Sequence, residues 1–355
     1  MPRSSCASHR ELPHRRSSCM LPRFATLLAG LGIAGLAQGA PTAYPLTIDN
    51  CGKPQVFTQA PQRVVTIGQA GTEMLYALGL GAQLAGSSLW FNDVLPDYQA
   101  QDAKVPRLAD NEPSFEAVVG KRPQLVTAQF EWMVGDQGAV GTREQFDELG
   151  IATYVLPSDC EGKDNLVGAD GTRLQAFQVE SIYKSVSELA SVFDVQARGA
   201  ALNDELKGRL ANAQAQLAGV DLSNTSALFW FSSADLATDP YVAGRQGVAD
   251  FMLRTLGVRN VVSSTEEWPT VSWETLAKAN PTWLIIARMD RRRFPADDYQ
   301  KKLDFLRNDP VTQHMDAVKH GRIIVLDAEA MQAGIRLFRG LQTLAAAFST
   351  GVAAP

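Results

Sequence analysis

The chain has 355 residues, 45% hydrophobic and 20% charged, with 28 Gly and 18 Pro, a composition that excludes a disordered, collagenous or coiled-coil protein. Its formal charge of -5 gives no general attraction to nucleic acid or anionic lipid, so neither is expected as a partner. At about 150 residues per domain, the length points to two domains, each able to bury its own core.

The apolar run Phe24 to Ala37 follows Arg23 and stops at Ala37-Gln38-Gly39, a small-x-small cleavage pattern. It reads as a secretory signal over residues 1–39, too short to span a bilayer, and no later segment is apolar for long enough. Met20 is the expected initiator, because Met20 to Arg23 already supplies a start and a basic n-region. A twin-arginine signal at Arg15-Arg16 is the second reading, weakened by its Ser-Ser-Cys-Met continuation. Cleavage after Gly39 removes five arginines and Glu11, leaving a distinctly acidic chain. No Cys stands at the cleavage point to take a lipid, so a free periplasmic protein with no membrane insertion is expected. Cys51 and Cys160 remain, an even pair in an oxidising compartment. The default reading is one disulfide; two buried free thiols are the alternative, since spacing cannot show proximity.

From Arg63 onward, β-branched runs alternate with helical patterns. Arg63 to Ile67 predicts a strand, then a glycine turn, Gly68 to Gly71, and an amphipathic helix over Thr72 to Leu78. A strand over Leu84 to Ser88 comes next. A helix over Ser114 to Lys121 precedes a strand at Leu125 to Ala128, and a helix over Arg143 to Leu149 precedes one at Ala152 to Leu156. Two helices without strand signals follow, Gln175 to Phe193 and Val195 to Leu217. The alternation then restarts with strands at Ala227 to Phe231, Trp283 to Ala287 and Arg322 to Leu326. This is the grammar of an α/β fold with mainly parallel sheets. The expected division is an N-terminal lobe over 44–193, a linking helix over 194–219 and a C-terminal lobe over 220–352. The lobes look like diverged copies: SFEAVVGKRPQLVTA from Ser114 aligns with SWETLAKANPTWLIIA from Ser272.

Catalytic and metal-binding signatures are missing. His314 and His320 do not share a helix face, and no G-x-S-x-G, Walker A or H-E-x-x-H pattern occurs, so no catalytic residue, metal site or cofactor is expected. The Gly68 to Gly71 turn reads as a tight turn more readily than as a phosphate cradle. Aromatic and arginine residues instead gather just beyond strand ends, where open α/β sheets bind ligands. Trp90, Phe130, Phe231, Tyr241, Trp268, Arg288 and Arg336 are the candidate ligand-binding residues. Phe91 and Trp132 accompany them, and Arg291 to Arg293 reads as a solvated loop.

The signal, A-P-Q-R-V-V-T-I at 60–67, Thr72-Glu73 with A-L-G-L at 77–80, the two S-x-E units, Y-V-A-G at 241–244 and the long central helix together resemble one family. It is that of the periplasmic binding proteins serving ABC importers of ferric siderophores, haem and cobalamin. The resemblance implies two Rossmann-like lobes joined by one rigid helix, with a ligand cleft between them and little hinge closure. It places Trp90, Phe231, Trp268 and Arg336 where the cobalamin-binding member lines its cleft, although Arg107-Leu108-Ala109 stands where that member has a tryptophan. It also implies that Glu116 and Glu274 dock on an inner-membrane permease dimer, which a cytoplasmic ATPase powers. The expected protein is a monomeric receptor for a metal chelate, with a ferric siderophore favoured over cobalamin or haem because arginines suit an anionic cargo. The rivals are an exported two-lobe enzyme, drawing on Glu112, Glu131 or Asp235, and a ligand-sensing receptor domain.

Overall fold

The computed structural model describes residues 40–167 and 172–352, which belong to one unit. The signal segment and both possible starts lie outside the described residues.

Cys51 and Gly52, both at positive φ, turn a hairpin of β1 (Leu46–Asn50) and β2 (Lys53–Phe57). The first alternating series then gives β3 (Val64–Ile67), α1 (Gln69–Ala77), β4 (Leu84–Ser88), β5 (Arg107–Ala109), α2 (Phe115–Val119), β6 (Leu125–Ala128), α3 (Arg143–Glu148) and β7 (Ala152–Val155). The strands make a parallel five-stranded sheet in the order β5-β4-β3-β6-β7. β3, β6 and β7 are almost wholly buried, which is why they read as continuous apolar runs.

After a small antiparallel pair, β8 (Lys163–Asp164) and β9 (Thr172–Arg173), come α4 (Glu180–Val192) and the 21-residue α5 (Gln196–Gln216). α4 begins later than the expected Gln175, because the preceding segment is irregular and Phe177 N donates to Gln246 O at 2.8 Å. α5 packs against α4 and against the C-terminal α9 (Arg336–Thr350). Gly199 permits the close approach to α4: a Cβ there would stand 2.5 Å from Ala190 Cβ.

The second series gives β10 (Ser226–Ser232), β11 (Tyr241–Val242), α6 (Val248–Thr255), β12 (Arg259–Asn260), α7 (Trp273–Ala279), β13 (Trp283–Arg288), α8 (Tyr299–Asn308) and β14 (Ile323–Asp327). β10 pairs in parallel with β12 on one side and β13 on the other, and β14 lies beyond β13. The first sheet places β4, β3, β6 and β7 in the same succession. Matching helix starts accompany the matching strands. Ser114 Oγ accepts from Ala117 N at 3.2 Å and Ser272 Oγ from Thr275 N at 3.3 Å, each capping the helix that feeds the third strand.

Each sheet has an apolar cluster on one face, Val65 to Val155 in the first and Leu228 to Ala317 in the second. A larger cluster joins the opposite faces to α4, α5 and α9. Among the described residues no helix is long and apolar enough to cross a membrane.

Candidate functional site

A cavity of about 500 Å³ opens beyond the C-terminal ends of the parallel strands of both sheets. Its shape begins with small residues. Gly68, at the end of β3, has φ 124°, and a Cβ there would lie 2.2 Å from the Gln129 side chain. Gln129 fills the turn and accepts from Ala70 N at 2.9 Å. Gln69 to Gly71 already form the first turn of α1, so the expected Gly68 to Gly71 turn reduces to Gly68 itself, with Gln129 packed over it.

Half-buried aromatic rings wall the cavity. Phe130 and Trp132, in the loop after β6, stack at 6.1 Å with 12° between their planes. Across from the first lobe, Phe231 at the end of β10 meets Trp268 at 4.6 Å and receives Phe91 edge-on at 5.9 Å. Tyr241 stands at the rim, 39% exposed. The structure thus brings Phe130, Phe231, Tyr241 and Trp268 to one cavity, with Phe91 and Trp132 beside them.

Three candidates stand elsewhere. Trp90 is 2% exposed and joins the large core cluster, under the Arg107 guanidinium at 4.0 Å. Its neighbours Leu89 and Phe91 line the cavity while Trp90, between them, takes the opposite direction. Arg288 ends β13 and is drawn to Asp327 at 2.5 Å on β14, leaving the cavity to Met289. Arg336 is 3% exposed and pairs with Glu73 through Nε at 2.8 Å and Nη2 at 2.5 Å, while Nη1 reaches Asp327 at 3.1 Å. It also donates to Asp93 O. Sequence position placed these side chains near strand or helix ends but could not show the carboxylates that claim two of them.

In the loop from Arg291 to Arg293, Arg292 and Arg293 are exposed as expected of a solvated loop, while Arg291 is half-buried. Arg291 and Arg293 line the cavity, and Arg292 turns away to Asp298 at 2.9 Å. Arg291 Nε donates to Trp90 O at 2.8 Å and its guanidinium lies 5.2 Å from the Phe91 ring, which ties the second lobe to the first. The triplet's closeness to the end of β13 was the signal available in the sequence.

A buried charged group has no such signal. Asp159, Lys163 and Arg173 come from the loop after β7, and Glu267 from the second lobe. Burial pushes the Asp159 carboxyl up, against the opposing pull of Lys163. Cys51 and Cys160 are joined, with Cα atoms 5.7 Å apart, so the β1–β2 turn anchors this loop next to Asp159. Of the carboxylates a catalytic reading would need, Glu112 lines the cavity. Glu131 folds back on Gly135, and Asp235 is exposed and accepts from Ala237 N at 2.8 Å. Among the described residues no group of His, Cys, Asp or Glu could hold a metal ion. Glu116 and Glu274 are exposed in the first turns of α2 and α7.

Comparison with known proteins supports the architecture. The chain is 24% identical over 333 residues to the uncharacterized ABC transporter substrate-binding lipoprotein YvrC of Bacillus subtilis (strain 168), covering 90% of this chain and 94% of YvrC. It is 26% identical over 228 residues to the vitamin B12-binding protein of Pectobacterium atrosepticum, covering 64% and 71% of the two chains. A periplasmic binding protein from Veillonella parvula shares the fold, with a TM-score of 0.71, 23% identity, and coverage of 89% of this chain and 100% of that one. Residues 64–330 match the periplasmic binding protein family, and the chain belongs to that family of binding proteins.

Proposed function

We propose that this protein captures a ferric siderophore in the cleft between its lobes and delivers it to the permease of an ABC importer. One observation carries the ligand class: a cavity of about 500 Å³ whose walls are aromatic and which Arg291 and Arg293 also line. Aromatic faces suit the organic shell of a chelate, and guanidinium groups suit its negative charge. Glu116 and Glu274, at equivalent places in the two lobes, serve as the docking points for a permease dimer, since exposed charges fix register at a transient interface. The protein acts as a monomer in the periplasm after loss of its signal segment. The likeness to a vitamin B12-binding protein favours cobalamin as the second reading.

Titration of tryptophan fluorescence with ferric siderophores, haem and cyanocobalamin tests this, because Trp132 and Trp268 line the cavity. A ferric siderophore should quench most strongly. Trp268→Ala should weaken binding by about 1–3 kcal/mol through lost stacking. Failure of every chelate to bind the wild-type protein would remove the reading.

A further inference from the structure

Lys163 and Arg173 sit on β8 and β9 at the cavity, with side chains only 2% and 3% exposed. Cations at that depth need partners, and theirs come from two lobes. Asp159, on the same loop, takes Lys163 at 2.5 Å and also accepts from Glu131 N at 2.6 Å. Glu267 reaches over from the position before Trp268, with Oε2 3.0 Å from Arg173 Nε and 3.8 Å from Lys163 Nζ. The contact with Arg173 is short but out of line: Arg173 Nε is buried and makes no hydrogen bond. A carboxylate so placed neutralises the guanidinium while forgoing the directional part of the interaction, and an aligned oxyanion would hold it better.

We infer that Lys163 and Arg173 form an anion subsite of the cleft, in which Glu267 stands in for an acidic group of the ligand and gives way to it. The inference rests on the chelate-receptor reading and narrows it to cargo with a carboxylate or catecholate within reach of Trp268. Asp159 stays in place through its two partners, so the loop keeps its form when Glu267 turns away from Arg173. A neutral cargo cannot make this exchange, because it would leave Arg173 and Glu267 both desolvated and unpaired. The site therefore selects for charge with its own carboxylate as the competitor.

Three proteins decide it: wild type, Glu267→Gln, which keeps the shape and removes the competitor's charge, and Arg173→Gln. Each is titrated with citrate as a small anionic probe, with a ferric tris-catecholate and with neutral cyanocobalamin. The two anions should bind at least about fivefold tighter to E267Q and at least about tenfold weaker to R173Q, with cyanocobalamin no different among the three. If R173Q does not fold, Arg173→Lys takes its place and should fall between wild type and the expected R173Q value. Equal citrate affinity in all three, or an E267Q gain shared by cyanocobalamin, overturns the subsite. If no chelate binds wild type while citrate keeps this order, the receptor reading fails and the subsite stands. If a chelate binds wild type while citrate is indifferent to both substitutions, the subsite fails and the receptor reading stands.

Discussion

Two ion networks join the lobes, and they are built differently. In the first, Arg336 and Glu73, 263 residues apart, form a double hydrogen bond, and Asp327 takes a further guanidinium nitrogen. In the second, Arg173 has the charge of Glu267 nearby without the alignment of a hydrogen bond. Both arginines are nearly sealed from solvent. Burial and pairing alone therefore do not separate a supporting arginine from a recognising one; the difference lies in whether the donors are saturated. A saturated guanidinium has nothing left to offer a ligand, whereas a misaligned one next to a cavity can trade its partner.

The contrast predicts unequal responses to mutation. Arg336→Met should cost about 3–5 kcal/mol in urea unfolding, because it strands Glu73 beside the buried Glu329. Citrate affinity of the folded fraction should be unchanged; a loss below about 1 kcal/mol would deny the first network its supporting role. Replacing Cys51 and Cys160 together by Ser should cost about 2–4 kcal/mol, since the bond closes a long loop, separation 109. That variant should also bind citrate less tightly, because the loop carrying Lys163 loses its anchor.

Lys302 is a buried cation outside both networks, with its ammonium 5.2 Å from the Trp230 ring. Its ammonium is buried beneath Phe231, donates to Phe231 O at 2.6 Å, and is pushed down by burial from 10.5 to about 8. Between those values the unfolded chain holds more protons, so this group makes stability rise as pH climbs from about 8 to 10.5, and below 8 its cost is constant. The difference in unfolding free energy between wild type and Lys302→Met should shift by up to about 3 kcal/mol across that window. A flat difference would mean that the lysine stays charged throughout. The smallest effect belongs to the outer surface: Glu116→Gln with Glu274→Gln should change stability by less than about 0.5 kcal/mol. Uptake in cells should fall nonetheless, and normal uptake would reduce the two glutamates to helix-end residues.

Much of the scaffold is legible in the sequence for one physical reason: strands covered on both faces must be apolar throughout. β3, β6, β10 and β13 follow that pattern apart from Thr66, Thr127, the terminal Ser226 and Ser232, and Arg288. The pairs Lys163–Asp164, Thr172–Arg173 and Arg259–Asn260 are two-residue polar strands and carry no such signal. In the cleft, aromatics placed just past strand ends are legible through Phe130, Phe231 and Trp268, which share one cavity. Trp90 escapes because adjacent residues point to opposite sides, and Arg336 because its partner is remote in sequence. The Lys163, Arg173 and Glu267 group is assembled only when the loop after β7 meets the second lobe.

The long helix α5 has a kinetic consequence. Seated on α4 and α9, with Gly199 pressed to Ala190, it supports the lobes as a frame assembled before any cargo arrives. Little affinity is then diverted into ordering the protein on encounter. Capture can proceed on first contact, limited by diffusion and by the orientation of the cargo. On the proposed reading, the slow step moves to release, where stacked rings and re-paired charges must be separated.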